Sequence, residues 1–258
     1  ASNLLQSLLD AGQHVVGLDN FATGKQANLD EVRTLVAPGR WSRFRFIEGD
    51  VASPETCRQA VDGVDAVLHQ AALGSVPRSI ADPATSNDVN VTGTLNVRIA
   101  ARDAGVRRVV FSSSSSVYGE NPALPKREDL ATLPISPYAV SKLAAESYTR
   151  VFSKVYGLET VSLRYFNVFG PRQRADSPYA AVIPLFMQSA LDGHPLPING
   201  DGLQSRDFTY VTNVVRANLL AATVPGVAGG TYNIACGERY SLLDIVDALA
   251  EAAGRSLT

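Results

Sequence analysis

The sequence contains few of the residues that bind metal ions. Its 258 residues include only two cysteines, Cys57 and Cys236, and three histidines, and these are widely separated along the chain. Protein metal sites usually draw several such ligands from characteristic spacings. We therefore predict that the protein holds neither a structural nor a catalytic metal.

The sequence also lacks a strong charge of either sign and any long apolar segment. Its formal net charge is −2, and its basic residues are scattered without a ladder of aromatic residues among them. This distribution argues against nucleic acid or an anionic membrane as a partner. No apolar run reaches the length of a membrane span, and the first residues do not have the pattern of a signal peptide. We therefore expect a cytoplasmic protein.

What the sequence does contain is an alternation of short apolar runs and longer helix-like segments. With 45% hydrophobic residues, the chain can bury a core in one large domain or two modest ones. Such alternation is typical of βαβ units, so we predict an α/β fold with a doubly wound parallel sheet. The predicted strands are 14–19, 44–50, 65–71, 107–113 and 159–166. The predicted helices between them are 25–36, 54–62, 83–104 and 137–156.

The character of the sequence changes after Phe166, where glycine and proline become frequent. We therefore divide the chain into a first domain, 1–166, and a smaller second domain, 167–258. The helices predicted for the second domain are 181–191, 211–223 and 241–253.

Five consecutive serines, Ser112–Ser116, follow the apolar run that predicts the fourth strand. The plain alternatives are a polar turn or a serine that caps the next helix. Open parallel sheets, however, bind their ligands at the carboxyl ends of the strands, and the serine run lies at one such end. Its position therefore favours a functional site over a turn.

Tyr138 and Lys142 lie four residues apart and so share one face of the predicted helix 137–156. The plain alternative is an exposed helix with a tyrosine in its first turn. A tyrosine with a pKa near 10 is a poor base at neutral pH, but a nearby ammonium stabilises the phenolate and lowers that pKa. With a serine hydroxyl beside them, the two side chains could remove the proton of an alcohol whose carbon releases hydride.

Two acidic residues follow neighbouring predicted strands and suggest the acceptor of that hydride. Asp19 ends the first strand and Asp50 follows the second. Singly, such residues are usually caps or turn residues. At the end of a strand, however, an aspartate can bind both hydroxyls of an adenosine ribose, so the pair favours a dinucleotide site.

The glycine-rich turn of a dinucleotide fold is missing from the sequence. That turn normally lies roughly 20 residues before the ribose-binding acid, and residue 1 falls where it should be finishing. The opening segment "ASNLLQSLLDAG" instead predicts the helix that follows the glycines. We therefore expect the sheet to lack its first strand and the strand 14–19 to be less protected.

A series of motifs extends in order along nearly the whole chain: "GLDNFATG", "HQAALGSVPRS", "NVTGT", "SSSSSVYG", "SPYAVSK", "LRYFNVFGPRQ" and "YNIACG". Together they resemble the extended short-chain dehydrogenases/reductases, in the group of NAD-dependent nucleotide-sugar epimerases and dehydratases. Among members of the group, they are most similar to bacterial UDP-N-acetylglucosamine 4-epimerases.

The resemblance implies a Rossmann-type fold, NAD as cofactor, a UDP-sugar as substrate and a role for each matching residue. Catalysis would rest on Ser114, on Tyr138 as the base, and on Lys142, which would lower the pKa of Tyr138. The residues implied to bind NAD are Asp19, Asn20, Phe21, Thr23, Gly24, Asp50, Val51, Gln70, Ala71, Ala72, Asn90, Tyr138 and Lys142. The residues implied to bind the UDP-sugar are Gly74, Ser75, Ser114, Ser115, Ser116, Asn167 and Arg206, the last at the diphosphate.

One departure from the pattern of the group bears on the reaction. Dehydratases carry an Asp-Glu pair after the catalytic threonine, and this sequence has Ser115 and Ser116 there. The resemblance therefore implies epimerisation, with UDP-N-acetylglucosamine and UDP-N-acetylgalactosamine as the expected pair. A UDP-glucuronate epimerase or decarboxylase, or an inactive nucleotide-binding fragment, remains an alternative. Because the glycine turn and a C-terminal segment that closes the sugar pocket lie outside the chain, we expect truncation at both ends.

The resemblance also implies a homodimer. Members of the family pack two long helices into an intermolecular four-helix bundle, and the matching helices here are 83–104 and 137–156. We expect alanines at 139, 144 and 145 to allow close approach of the partner helix.

Overall fold

The computed structural model describes residues 1–176 and 180–257. The chain forms two compact units. The first contains Ala1–Tyr165 and Thr212–Ile234, and the second contains Phe166–Val211 and Ala235–Thr258. This division differs from the expected boundary after residue 166, because residues 212–234 return to the first unit as a helix and a strand of its sheet.

The first unit alternates strands and helices as the apolar periodicity predicts. Its strands are β1 (Val15–Asp19), β2 (Phe44–Glu48), β3 (Ala66–His69), β4 (Arg108–Ser114), β5 (Glu159–Tyr165) and β9 (Thr231–Ile234), numbered along the whole chain. Its helices are α1 (Ser2–Asp10), α2 (Gln26–Leu35), α3 (Pro38–Trp41), α4 (Pro54–Val61), α5 (Val76–Ala81), α6 (Pro83–Asn87), α7 (Thr94–Asp103), α8 (Pro137–Tyr156) and α10 (Val211–Thr223). A π-helical turn (Asp88–Gly93) precedes α7, and a 3₁₀ turn (Ser115–Tyr118) follows β4.

All strand pairs of the first unit are parallel. β3, β4, β5 and β9 form one four-stranded sheet in that order, and β1 pairs with β2. The register joins Ser114 to Tyr165, so the serine run lies at the carboxyl edge of the sheet. The predicted parallel α/β architecture is thereby confirmed.

Burial differs among the strands of the first unit. Residues 108–113 of β4 are buried, as are residues 160–164 of β5. All five residues of β1 are half-buried, and β2 and β9 also contain exposed residues. That the strand 14–19 is less protected because a neighbouring strand is missing stays a prediction.

The long helix α8 is fixed at both ends by local sequence. Ser136 caps its N-terminus by accepting a hydrogen bond from the backbone N–H of Ala139, and Pro137 occupies the first turn. Gly157 ends the helix with a left-handed φ of 70°. One face of α8 packs on β4 and β5, which buries Ala145 and Phe152. The helix therefore holds its first turn near the carboxyl edge of the sheet.

Two details of the expected helix pair are corrected by the structure. The helix predicted over 83–104 is divided into α6, the π-helical turn and α7, because the backbone widens at Asp88–Gly93. Ala139 and Ala145 are 1% and 0% exposed within the unit. They therefore face the protein's own core and are unavailable to a partner helix, whereas residue 144 is half-buried.

The second unit is a smaller assembly of helices and two-stranded ladders. Its helices are α9 (Val182–Asp192) and α11 (Leu242–Ala253), and its strands are β6 (Val168–Phe169), β7 (Ser205–Arg206), β8 (Thr209–Tyr210) and β10 (Tyr240–Ser241). β6 runs parallel to β8, and β7 runs antiparallel to β10. A capping box of Ser241 and Asp244 starts α11, and Gly254 ends it.

Within the described parts of the chain, no helix is long and apolar enough to cross a membrane. Over the same residues, no group of three or more His, Cys, Asp or Glu side chains is placed to hold a metal ion.

Candidate active site

The first two serines of the run hold the fold together. The buried Ser112 hydroxyl donates to the carbonyl of His69 on the neighbouring strand, at 3.0 Å. The buried Ser113 hydroxyl donates to Glu146 Oε2 on α8, at 2.6 Å. These two hydroxyls are thus used inside the first unit rather than at its surface.

The next three serines are half-buried and turn away from the core. Ser114 Oγ accepts hydrogen bonds from the backbone N–H of Ser116 at 3.2 Å and from its hydroxyl at 2.9 Å. The Ser114 hydroxyl also interacts with the phenol of Tyr138 and favours its ionised form. The serine run is therefore both a cap for the 3₁₀ turn and the neighbour of the predicted base.

Tyr138 lies in the first turn of α8, where two hydrogen bonds fix its backbone. Its N–H donates to the buried Ser79 hydroxyl at 3.0 Å, and its carbonyl accepts from Ser141 at 2.8 Å. Burial raises the pKa of the Tyr138 phenol, and the interaction with the Ser114 hydroxyl opposes that rise. The lowered pKa that the sequence predicts is therefore not found in the structure, because loss of solvent around the phenolate has the larger effect.

Lys142 lies one turn further along the same face of α8. Its side chain is 3% exposed, and Nζ donates to the carbonyl of Ser112 at 2.8 Å. Burial, with a smaller contribution from the positive charge of Arg98, lowers the pKa of Lys142 to about 7. We call Ser114, Tyr138 and Lys142 the catalytic corner.

The stripe of α8 that carries this corner continues to Glu146, which the sequence analysis did not identify. Arg164 of β5 binds Glu146 through two hydrogen bonds of 3.0 and 2.6 Å. A third bond of 2.8 Å joins Arg164 to the hydroxyl of Tyr118. The continued four-residue spacing, and an arginine inside an apolar strand, were the signals that could have revealed this pair.

Two residues predicted to bind NAD are occupied by bonds within the fold. The Asn90 side chain donates to the carbonyl of Leu73 at 3.1 Å and to Ser141 at 3.0 Å, and it accepts from the N–H of Leu73. Both of its N–H groups are therefore used. Gln70 donates to Asn218 at 2.9 Å and accepts from Tyr165 at 3.2 Å. Their contacts with NAD stay predictions.

The segment between β3 and α5 contains four more of the predicted residues. Ala71, Ala72 and Ser75 are half-buried, and Gly74 is exposed. Ser75 has a positive φ of 95° and caps α5 by accepting from the N–H of Arg78 at 3.3 Å. A non-glycine residue in this conformation stores backbone strain.

The two strand-end carboxylates are each bonded to the short segment that follows β1. Asn20 donates to Asp50 Oδ2 at 2.7 Å, and Asp19 Oδ1 accepts from the N–H of Phe21 at 2.8 Å. A Cβ added at Gly24 would lie 3.1 Å from Asp19 Oδ1, so glycine allows this close approach. We call Asp19, Asn20 and Asp50 the acidic corner.

The other predicted residues of this region lie close to the acidic corner in the sequence. Phe21 has a positive φ of 54°, and its ring packs 5.2 Å from that of Phe46. Thr23 is half-buried, and Val51 is buried. The Val51 carbonyl accepts a hydrogen bond from Asn96 at 3.1 Å.

The second unit contains a cavity of about 300 Å³ that includes both of its predicted substrate residues. Asn167 donates to the carbonyl of Asp207 at 2.8 Å, and Arg206 donates to that of Ser205 at 2.8 Å. The apolar part of the lining is formed by Phe169, Ile183, Phe208 and Leu242. The lining also includes Gln204. Such a combination of apolar walls with one cation and two amides is typical of a small-molecule site.

Comparisons with known proteins point in the same direction as this geometry. The family described as "NAD dependent epimerase/dehydratase family" matches residues 1–235. The chain is 37% identical to a UDP-glucose 4-epimerase of Mycolicibacterium smegmatis, over 98% of this chain and 79% of that protein.

Two solved structures show the same backbone arrangement. One is a UDP-N-acetylglucosamine 4-epimerase from Methanobrevibacter ruminantium, in complex with UDP-N-acetylmuramic acid. Its TM-score is 0.91, with 39% identity over 99% of this chain and 79% of that chain. The other is a UDP-glucuronic acid 4-epimerase from Bacillus cereus, in complex with UDP-glucuronic acid and NAD. Its TM-score is 0.88, with 34% identity over 100% of this chain and 81% of that chain.

Proposed function

This chain belongs to the NAD-dependent epimerase/dehydratase family, and we propose that it epimerises C4 of a UDP-hexose. The expected substrates are UDP-N-acetylglucosamine and UDP-N-acetylgalactosamine. The observation that carries the proposal is the catalytic corner. It combines the Ser114 hydroxyl, which favours the ionised form of the Tyr138 phenol, with a lysine one helical turn away, at the carboxyl edge of a parallel sheet.

The acidic corner fits the adenosine end of NAD. A carboxylate has roughly four acceptor positions, and the N–H of Phe21 uses one of those on Asp19, so ribose hydroxyls can bind the others. The side chain of Asp50 lies beside that of Asn20, where adenine would be held. When bound, NAD⁺ supplies hydride acceptance from C4 of the sugar and hydride return to the opposite face of a 4-keto sugar.

The chain's own residues manage the proton of the 4-hydroxyl. Tyr138 Oη would take this proton as C4 becomes a carbonyl, and would return it when the alcohol forms again. Ser114 would donate a hydrogen bond to the same sugar oxygen. Lys142, as an ammonium, would stabilise the phenolate of Tyr138; with a pKa of about 7, both of its forms are present at neutral pH.

The cavity of the second unit supports a nucleotide diphosphate as the handle of the substrate. Arg206 would pair with diphosphate oxygens, because guanidinium groups form charge-assisted hydrogen bonds with phosphate. Asn167 and the aromatic rings of Phe169 and Phe208 would bind the remaining nucleotide surface. Gly74, Ser75, Ser115 and Ser116 are proposed to contact the sugar.

Epimerisation is favoured over dehydration by the side chains that follow Ser114. Ser115 and Ser116 are hydroxyls, which are too weakly acidic to protonate a departing hydroxyl as a carboxylic acid would. UDP-glucuronate is the second candidate substrate, because a UDP-glucuronic acid 4-epimerase is among the structural neighbours.

Turnover of matched substrates tests the proposal. The purified protein, supplied with NAD⁺, is incubated with UDP-N-acetylglucosamine, UDP-glucose or UDP-glucuronate, and the products are separated by anion-exchange chromatography. We expect the highest kcat/KM for UDP-N-acetylglucosamine. A higher value for UDP-glucuronate would favour the second candidate. Tight NAD binding without conversion of any UDP-sugar would leave only the inactive nucleotide-binding protein.

We propose in addition that the protein is a homodimer joined through α8. Its outer face presents an apolar stripe, in which Val140, Val151 and Val155 are 53%, 44% and 65% exposed. The spacing of these residues places them on one side of the helix. We expect light scattering to show a dimer, and a Val151→Lys variant to be monomeric; a monomeric wild-type protein would contradict this.

A further inference from the structure

Arg98 of α7 is a buried cation that has no role in the mechanism described above. Its side chain is 0% exposed. Nη1 donates to the carbonyl of Thr94 at 2.9 Å, Nη2 donates to the hydroxyl of Thr149, and Nε has no hydrogen-bond partner among the described residues. Burying a cation without a carboxylate partner costs free energy, so the presence of such a cation in the core calls for an explanation.

The position of Arg98 suggests that explanation. Its Cζ lies 4.8 Å from the centroid of the Phe111 ring, and Lys142 Nζ lies 5.1 Å from the same centroid. The two cationic centres are therefore within roughly 10 Å of each other. Both side chains and the Phe111 ring that they contact are buried, so solvent screens the repulsion between the two cations only weakly.

We propose that Arg98 is a positioning residue whose buried charge, beside the Phe111 ring that Lys142 also contacts, adds to the effect of burial in favouring the neutral form of Lys142. This inference rests on the proposed function, because Lys142 matters through its pairing with the base Tyr138. A fixed positive charge disfavours the ammonium form of a nearby lysine. Arg98 would thus bring the change of charge of Lys142 closer to neutral pH than burial alone does.

The other charged groups around Lys142 do not replace this effect. On β3, His69 is buried, and burial, followed by the charges of Arg98 and Lys142, holds its pKa well below the usual value, so it is neutral. On α8 and β5, the carboxylate of Glu146 is bound to Arg164.

The charges on the remaining elements that pack on α8 are nearer to solvent. Arg78 on α5 is half-buried, and Asp82 before α6 and Asp88 in the π-helical turn are exposed. Water and salt therefore screen the effect of these three residues on Lys142.

Two physical facts make the effect measurable. Burial lowers the pKa of Arg98 to about 9, so it is still a cation at pH 7. Even at the upper limit of about 10 Å, and with an effective dielectric constant of about 20, one charge moves the titration midpoint of another by roughly one pH unit.

The experiment follows the ¹⁵Nζ and ¹³Cε NMR signals of Lys142 against pH in the ligand-free protein, with a Lys142→Met variant to assign them. Arg98→Met keeps an apolar side chain of similar length and removes the charge. We expect its Lys142 midpoint to rise by roughly one pH unit, and the pH profile of kcat/KM to move upward with it. Arg98→Lys keeps the charge and should retain the wild-type midpoint.

Arg108→Met is the matched control, since Arg108 is also buried but lies at the opposite end of β4, paired with Glu159. It should lower the melting temperature without moving the Lys142 midpoint. An unchanged midpoint in Arg98→Met would overturn the inference, whatever happened to stability. If that variant did not fold, Arg98→Gln, which keeps a donor for Thr94 and Thr149, would decide in the same way.

This titration needs no substrate, so it separates the inference from the proposed reaction. A raised midpoint in a protein without epimerase activity would uphold the role of Arg98 and overturn only the reaction. Epimerase activity together with an unchanged Lys142 midpoint in Arg98→Met would uphold the reaction and overturn the role of Arg98.

Discussion

The catalytic corner and the acidic corner lie in the same unit, yet they are held in different ways. Tyr138 and Lys142 are fixed by hydrogen bonds from β4, α5 and α8, all of them buried or partly buried. Asp19 and Asp50 are half-buried at the ends of less protected strands and are bonded mainly within their own loops. The comparison teaches that the residues proposed for the reaction are positioned by the core, whereas those proposed for the cofactor are positioned near the surface.

The largest expected effect comes from removing the reactive hydroxyl of the catalytic corner while keeping the hydrogen bonds that position it. Tyr138→Phe keeps the ring and the backbone bond to Ser79 and removes only the ionisable hydroxyl. We expect kcat to fall about 10²–10⁴-fold, the usual consequence of losing a general base, with UDP-sugar affinity little changed. Steady-state kinetics and calorimetric binding measure the two quantities. Tyr148→Phe, on the exposed face of the same helix, serves as the control. Wild-type turnover in Tyr138→Phe would refute the mechanism.

The second prediction concerns the buried ion pair that supports α8 rather than the reacting groups. Arg164→Met leaves Glu146 buried without its cation, and uncompensated buried charges typically cost about 3–5 kcal/mol. We expect the free energy of unfolding, measured by urea titration, to fall by that amount. Arg127→Met, which removes an exposed ion pair with Asp129, should leave it unchanged within error. Equal losses in the two variants would show that the Glu146 pair does not support α8.

The contrast between the corners also explains which features the sequence could predict. The strands and α8 were predictable because apolar periodicity and caps such as Ser136 and Gly157 act locally. The catalytic corner was predictable because Tyr138 and Lys142 share one helix, and the acidic corner because its residues follow neighbouring strands. Several of the roles came only from resemblance to a known family.

The features that could not be predicted depend on pairing between distant segments. Glu146 with Arg164, and Gln70 with Asn218, join residues that no local pattern connects. The raised pKa of Tyr138 depends on burial by several elements at once, which a tyrosine–lysine spacing does not reveal. The return of residues 212–234 to the first sheet is likewise a matter of strand pairing at long range.

The third prediction tests the contribution of the Asp19 charge to NAD binding at the acidic corner. Asp19→Asn keeps an oxygen that can accept from the N–H of Phe21, but it removes the negative charge that would bind ribose hydroxyls. We expect the Kd for NAD to rise about 10–100-fold, the effect of losing a charge-assisted hydrogen bond, with the melting temperature unchanged. Affinity for NADP should rise relative to NAD, since a 2′-phosphate is no longer repelled. Asp30→Asn on the exposed face of α2 is the control. Unchanged NAD affinity in Asp19→Asn would remove this residue from the cofactor site.

The smallest expected effect concerns Ser114, the first half-buried serine after the buried part of the run. Ser114→Ala removes the hydroxyl that favours the ionised form of Tyr138 and the acceptor for the N–H and hydroxyl of Ser116. Water can reach Ser116, so we expect a loss of stability of only about 1 kcal/mol. Turnover should fall about tenfold, the equivalent of one neutral hydrogen bond, if the freed Ser116 hydroxyl can reach the sugar oxygen in place of Ser114. The Ser114→Ala/Ser116→Ala double variant should then lose clearly more than the single one. Equal kcat values for the single and double variants would mean that Ser116 does not replace Ser114. Ser114 would then be the one serine of the run whose hydroxyl acts in the reaction.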